Sequence, residues 1–131
     1  MLIDTSGFFA LYSEKDKNHL PATEHYRKAP SRLTTNYVLA EYVALALIRG
    51  LPRSEVLAFS AEVLLDETIS LVWVDQALHV QAVELLQARP DKAYSLCDAV
   101  SFVLMRERGI LEALTTDKHF AQEGFIRLLN P

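Results

Sequence analysis

Short apolar runs that end in polar residues, each followed by a longer segment with helical spacing, recur along this sequence. That alternation constrains the fold more than any other feature. The runs are LID at the amino end, RLTT near residue 33, ISLVWV near residue 72, LEALT near residue 113 and FIRLL at the carboxyl end. Each has the length and apolar content of a buried strand, and Trp73 within LVWVD reads as a buried strand residue. Between them, NYVLAEYVALALIRG has apolar residues at helical spacing and a stop at Gly50, while RSEVLAFSAEVLLDE and QALHVQAVELLQAR each keep one oily face. SLCDAVSFVLMRERG repeats the design, with Ser95 as cap and Gly109 as stop. Strands alternating with helices through short loops predict an α/β sandwich with a mainly parallel sheet.

A chain of 131 residues, half of them hydrophobic, is sized for a single domain spanning 1–131 with a real core. No repeat, linker or low-complexity segment divides it. No run approaches the ~18 apolar residues of a membrane span, and the chain opens on a strand-like LID instead of a charged leader, so a soluble cytoplasmic protein is expected. The single Cys97 cannot close an intrachain disulfide, which fits a reducing compartment.

The formal charge of -4 argues against a protein that grips nucleic acid with its entire surface. The average conceals a split. Between Lys15 and Arg53 seven bases (Lys15, Lys17, Arg27, Lys28, Arg32, Arg49, Arg53) stand against three acids (Asp16, Glu24, Glu41), so either a local basic face or ordinary solvated helix faces are open readings.

Four carboxylates stand out. In open α/β sheets the loops at the carboxyl ends of the strands form the binding crevice, and Asp4 and Asp117 fall at such ends. An Asp before a helix is more often a cap than a catalyst, so neither proves anything alone. Glu41 projects from a helical stripe of Tyr37, Val38, Ala44, Leu45 and Ile48, where an unpaired carboxylate is costly and calls for a base, a hydrogen-bond network or a metal ion. Asp98 sits in the first turn of its helix, where the dipole alone could hold it, yet Ser95 and Ser101 share its side. Two strand ends and two apolar helices packed on one sheet would bring the four acids together. Their repulsion would raise the pKa values unless a hard divalent cation, Mg2+ or Mn2+, occupied the centre. Such an ion positions water and stabilises charge on a phosphoryl oxygen, which suggests phosphodiester hydrolysis. Cys97 reads as core filler, and His19, His25 and His79 show no ligand spacing.

The order of Asp4 in LIDTS, Glu41 in NYVLAEYV, Asp98 in YSLCDAVSF and Asp117 in LTTDKHF resembles the PIN-domain ribonucleases, especially the VapC-like toxins of toxin-antitoxin pairs. The resemblance spans nearly the whole chain. It implies a parallel sheet flanked by helices and a Mg2+-dependent endonuclease acting on RNA, with Asp4, Glu41, Asp98 and Asp117 as the metal-binding and catalytic carboxylates. Thr116, or the hydroxyl beside it, would orient a ligand or water, with Ser95 in support. Many members carry a further acid two positions after the last Asp, where this chain has His119. One ion is therefore expected to bind tightly and a second weakly.

Two other functions compete. A receiver-like phosphoacceptor domain shares the length, the alternation and an acidic pocket, with Asp75 after LVWV as its phosphorylation site, and a catalytically inactive PIN-like module would keep the fold and partner surface alone. The helices of residues 36–49 and 54–66 carry more apolar surface than one sheet face covers, which predicts a homodimer. In the resembling toxins an antitoxin lies across such helices. Within TTDKHF, Phe120 is expected to anchor the turn in the core, while Lys118 and His119 face outward beside the pocket.

Overall fold

The computed structural model describes residues 1–131. Five short strands, β1 (Leu2–Ile3), β2 (Leu33–Thr35), β3 (Ser70–Val72), β4 (Glu112–Leu114) and β5 (Ile126–Arg127), form one sheet in the order β3-β2-β1-β4-β5. Every pairing is parallel, with Leu2 opposite Leu33 on one side and Ala113 on the other. The chain builds outward from β1 to β3, then returns to the other side of β1 to lay down β4. Strand order therefore reverses between β1 and β4, and a crevice opens beyond their carboxyl ends.

Period-two alternation divides the core. Leu2, Leu33 and Ala113 point to one face, against Tyr94, Phe102, Met105, Phe120 and Phe125. Ile3 and Leu114 point to the other, against Phe8, Phe9, Val38, Tyr42 and Val56. Helices cover both faces, as a parallel sheet requires. On the Ile3 side are α1 (Thr5–Tyr12), α3 (Asn36–Ile48) and α4 (Arg53–Leu65), with α2 (His19–Lys28) packed on α1. The Leu2 side carries α6 (Leu96–Arg108) and α7 (Lys118–Gln122), with α5 (Gln76–Gln87) packed on α6.

The expected helices α3 to α6 form, and α6 ends as its sequence dictates, with Gly109 in the left-handed region at φ 66°. No helix is long and apolar enough to cross a membrane. Two helices carried no readable period. In α1, Thr5, Gly7, Phe8, Phe9 and Ala10 are all buried, so the segment is covered nearly all round. Gly7 is required there, because a Cβ would lie 2.2 Å from the Leu114 carbonyl oxygen. In α2 only Ala22 is buried, and Pro21 is tolerated because it lies in the first turn.

Trp73 corrects the reading of ISLVWV. The edge strand stops at Val72, and Trp73 is 67% exposed beyond it. An apolar run does not reveal where pairing with its neighbour ends.

Candidate active site

Asp4 follows β1 and occupies the N-cap position of α1, yet its side chain makes no capping bond. It is only 4% exposed. Oδ2 accepts a 2.8 Å hydrogen bond from Thr115 Oγ1, and Oδ1 is buried with no partner at all. Burial, with repulsion from Asp98 and Glu41 and against the Thr115 hydrogen bond, raises the Asp4 pKa to about 7.

Asp98 is 6% exposed in the first turn of α6. Ser95 and Asp98 form a reciprocal capping box: Asp98 N–H donates to Ser95 Oγ at 3.0 Å, and Ser95 N–H donates to Asp98 Oδ2 at 3.0 Å. Ser95 thereby fixes the carboxylate. Burial pushes the Asp98 pKa up, repulsion from Asp117 and Glu41 adds to it, and the Ser95 N–H and His119 oppose it.

Glu41 projects from α3 and is half-buried. Thr5 Oγ1 donates to its Oε1 at 2.6 Å, linking α3 to the start of α1. Its stripe is covered at Val38 but open at Ile48, which is 80% exposed, so Glu41 stands at the margin of the core. Asp117 follows β4 and caps α7, its Oδ1 accepting from His119 N–H at 2.9 Å. The four carboxylates thus start from two strand ends and two helices and meet at the sheet's carboxyl edge. The N-termini of α1 and α6 add their positive ends there.

Of the two threonines in TTDKHF, Thr115 holds Asp4 with its hydroxyl. Thr116 contributes its backbone N–H, which donates to Ser6 Oγ at 2.9 Å. Ser6 also lies 3.1 Å from Thr115 Oγ1, so a hydroxyl pair spans the ends of β1 and β4. Ser6 and Thr5 carried no signal in the sequence beyond being hydroxyls after a strand. Phe120 is fully buried and Lys118 exposed, as expected. His119 is not outward. Its Nδ1 lies 3.2 Å from Asp117 Oδ1 and 3.4 Å from Asp98 Oδ2, because the first turn of α7 swings the ring over the acids.

Cys97 is buried, and burial with the nearby carboxylates pushes its thiol pKa up, which disfavours a thiolate and fits the reading of core filler. Asp75 is exposed and caps α5 through the Leu78 N–H at 2.8 Å. It lines a surface cleft with Glu107 and Arg108, which holds none of the four acids above.

The residues 1–125 match the family model of the PIN domain. The chain belongs to the PIN-domain family. Within that family, it is 33% identical over 129 residues to the 23S rRNA-specific endonuclease VapC20 of Mycobacterium tuberculosis, covering 98% of this chain and 97% of that protein. It is 30% identical over 126 residues to a VapC ribonuclease of Archaeoglobus fulgidus, covering 92% of this chain and 78% of the relative. The crystal structure of the mycobacterial VapC20, described as a Sarcin-Ricin loop cleaving toxin, superposes with a TM-score of 0.87 at 31% identity, covering 99% of this chain and 98% of that one. This PIN domain therefore stands among VapC-like ribonucleases.

The donor set of this PIN domain fits a hard cation. It offers four carboxylates, one of them with a buried oxygen lacking any partner, and a mutual repulsion that positive charge would relieve. One donor atom from each of Asp98, Asp117 and His119 lies within 4.8 Å of the other two.

Proposed function

We propose that this protein is a Mg2+-dependent endoribonuclease, the toxin of a toxin-antitoxin pair, with Asp4, Glu41, Asp98 and Asp117 as its metal-binding and catalytic residues. The observation that carries the reading is the unpartnered, buried Asp4 Oδ1 at the switch between β1 and β4, in a carboxylate that repels Asp98 and Glu41, with Asp117 next to Asp98. A protein gains nothing from such an arrangement unless a cation joins it. Asp75, capping α5 at the surface, offers the receiver alternative no support.

When bound, a divalent ion lowers the pKa of water and stabilises negative charge on a phosphoryl oxygen. The chain supplies orientation. Thr115 holds Asp4, the Ser95 capping box holds Asp98, Thr5 holds Glu41, and the His119 backbone holds Asp117. Glu41 is half-buried, as is Asp117, and its solvent-accessible carboxylate suits accepting a proton from attacking water.

Next to the acids, Ser6 and Thr116 form the inner wall of a groove also lined by Lys17 and Arg49. The groove continues past Phe9 to Tyr12 and Lys15. The basic character of residues 15–53 thus has a local expression here, with Asp16 the acid among it. Such a track suits the phosphates of a strand whose scissile bond lies over the carboxylates. The relatives' activities favour RNA, and a sarcin-ricin loop oligonucleotide is the first substrate to test.

Partners follow from the outer helices. Leu57, Leu64 and Leu65 of α4 and Ile48 of α3 are exposed, Leu65 by 82%, and apolar surface of this kind supports a homodimer and an antitoxin contact. Expression of the chain with and without its neighbouring reading frame, followed by mapping of new RNA ends, tests the function. Growth arrest with new ends, relieved by the neighbour, is expected. Unchanged growth and intact RNA in the chain's sole presence would overturn it, and a monomer at micromolar concentration in light scattering would overturn the dimer.

A further inference from the structure

His119 stands where an acid would be the simpler choice for binding Mg2+, and its surroundings explain what an imidazole does there. The ring lies edge-on against Tyr94, with centroids 5.4 Å apart, which fixes its plane. Nδ1 is buried and makes no hydrogen bond, although Asp117 Oδ1 and Asp98 Oδ2 lie only 3.2 and 3.4 Å away. Neither oxygen lies along a hydrogen-bond direction from that nitrogen. Both oxygens already accept a backbone N–H, from His119 and Ser95 respectively, and each keeps a lone pair for a further contact.

These separations have a simple meaning in coordination chemistry. Metal–donor distances of about 2.1 Å place neighbouring donors of an octahedral shell about 3 Å apart. The nitrogen lies close to that edge length from each of the two carboxylate oxygens, and one donor atom from each of the three residues lies within 4.8 Å of the other two, a donor set ready for a cation.

We propose that His119 Nδ1 is a ligand of the divalent ion held by Asp98 and Asp117, and that this nitrogen tilts the site from Mg2+ toward first-row transition ions such as Mn2+. The proposal rests on the metal-dependent reading above. Mg2+ favours oxygen donors and sheds water reluctantly, so an imidazole adds little to its binding. Transition ions gain from the softer nitrogen, and Mn2+ is the mildest member of that series.

The test is electron spin-echo envelope modulation of Mn2+ bound to the wild-type protein, with Mn2+ and Mg2+ affinities measured by calorimetry for wild type and His119→Gln. Nitrogen-14 modulation from a directly bound imidazole is expected in the wild type and absent in the variant. The ratio of Mn2+ to Mg2+ affinity should fall on the order of tenfold in His119→Gln. The other histidines do not confuse the signal: Nδ1 of His19 meets the Ala10 carbonyl at 2.8 Å, Nδ1 of His79 meets Tyr37 Oη at 2.6 Å, and any contribution from His25 would persist in the variant.

Mn2+ bound in a carboxylate-dependent way without nitrogen modulation would overturn the ligand assignment alone. An unchanged affinity ratio in the variant would overturn the selectivity. Absence of any Mn2+ binding would overturn both this proposal and the metal-dependent reading beneath it. A wild-type spectrum without nitrogen modulation overturns the ligand assignment even if the variant folds poorly.

Discussion

Thr115 Oγ1 donates to Asp4 Oδ2 at 2.8 Å, tying the end of β4 to the end of β1 where the strand order reverses. The bond favours the ionised form of a carboxylate that burial disfavours, which under the proposed function readies Asp4 for a cation. Thr115→Val keeps the shape and removes the donor. It should raise the Asp4 pKa further, weaken Mn2+ binding roughly 10- to 100-fold and alter stability by about 1–3 kcal/mol. Calorimetry and thermal unfolding measure both, and undiminished Mn2+ affinity would contradict this role.

The pH dependence of the metal-free protein follows from the same residue. Asp4 has a folded-state pKa raised to about 7, and that of Asp98 is raised as well. A raised carboxylate contributes stability that is fully present below its unfolded value, near ~4, and is lost as pH rises through the folded value. With chelator present, stability should therefore decline from about pH 4 through 7 and above. Metal binding near pH 7 should release protons. Melting curves across that range, and calorimetry in buffers of different ionisation enthalpy, check the sign; a melting temperature that rises over this interval without metal would contradict it.

Lys17 and Arg49 line the groove beside Ser6 and Thr116 without touching the carboxylates. Replacing either with Gln should weaken RNA binding across sequences and reduce the salt slope by about 1 for each charge removed. Mn2+ binding should be unchanged. Filter binding over a salt series reads the slope, and an unaltered slope in the double variant would move the strand's path elsewhere.

The alternation of strands and helices, and the placement of the four acids at strand ends and on helices, were legible because core packing leaves a period in sequence and because strand ends announce themselves by a change from apolar to polar. Thr115 and Thr116 were not separable, since either can follow a strand of unknown register. Only the pairing of Ala113 and Leu114 with β1 decides which hydroxyl reaches Asp4. His119 was read as outward because the residue before a core anchor on a short helix usually is. The ring points inward because α7 begins directly at Asp117, so its first turn lies over the pocket. Trp73 misled through its neighbours, and α1 was silent because burial on nearly every side erases the helical period.

The most direct test of the account is the single-turnover rate of RNA cleavage, with Mg2+, by wild type and by Asp98→Asn at matched thermal stability. Asn at this position keeps the size of the side chain and an oxygen for the Ser95 N–H while removing a charge from the carboxylate cluster. The account predicts that chelator abolishes wild-type cleavage and that the variant is slower by on the order of 10³-fold, about 4 kcal/mol of transition-state stabilisation. Wild-type rates in the variant, or cleavage that persists in chelator, would contradict it.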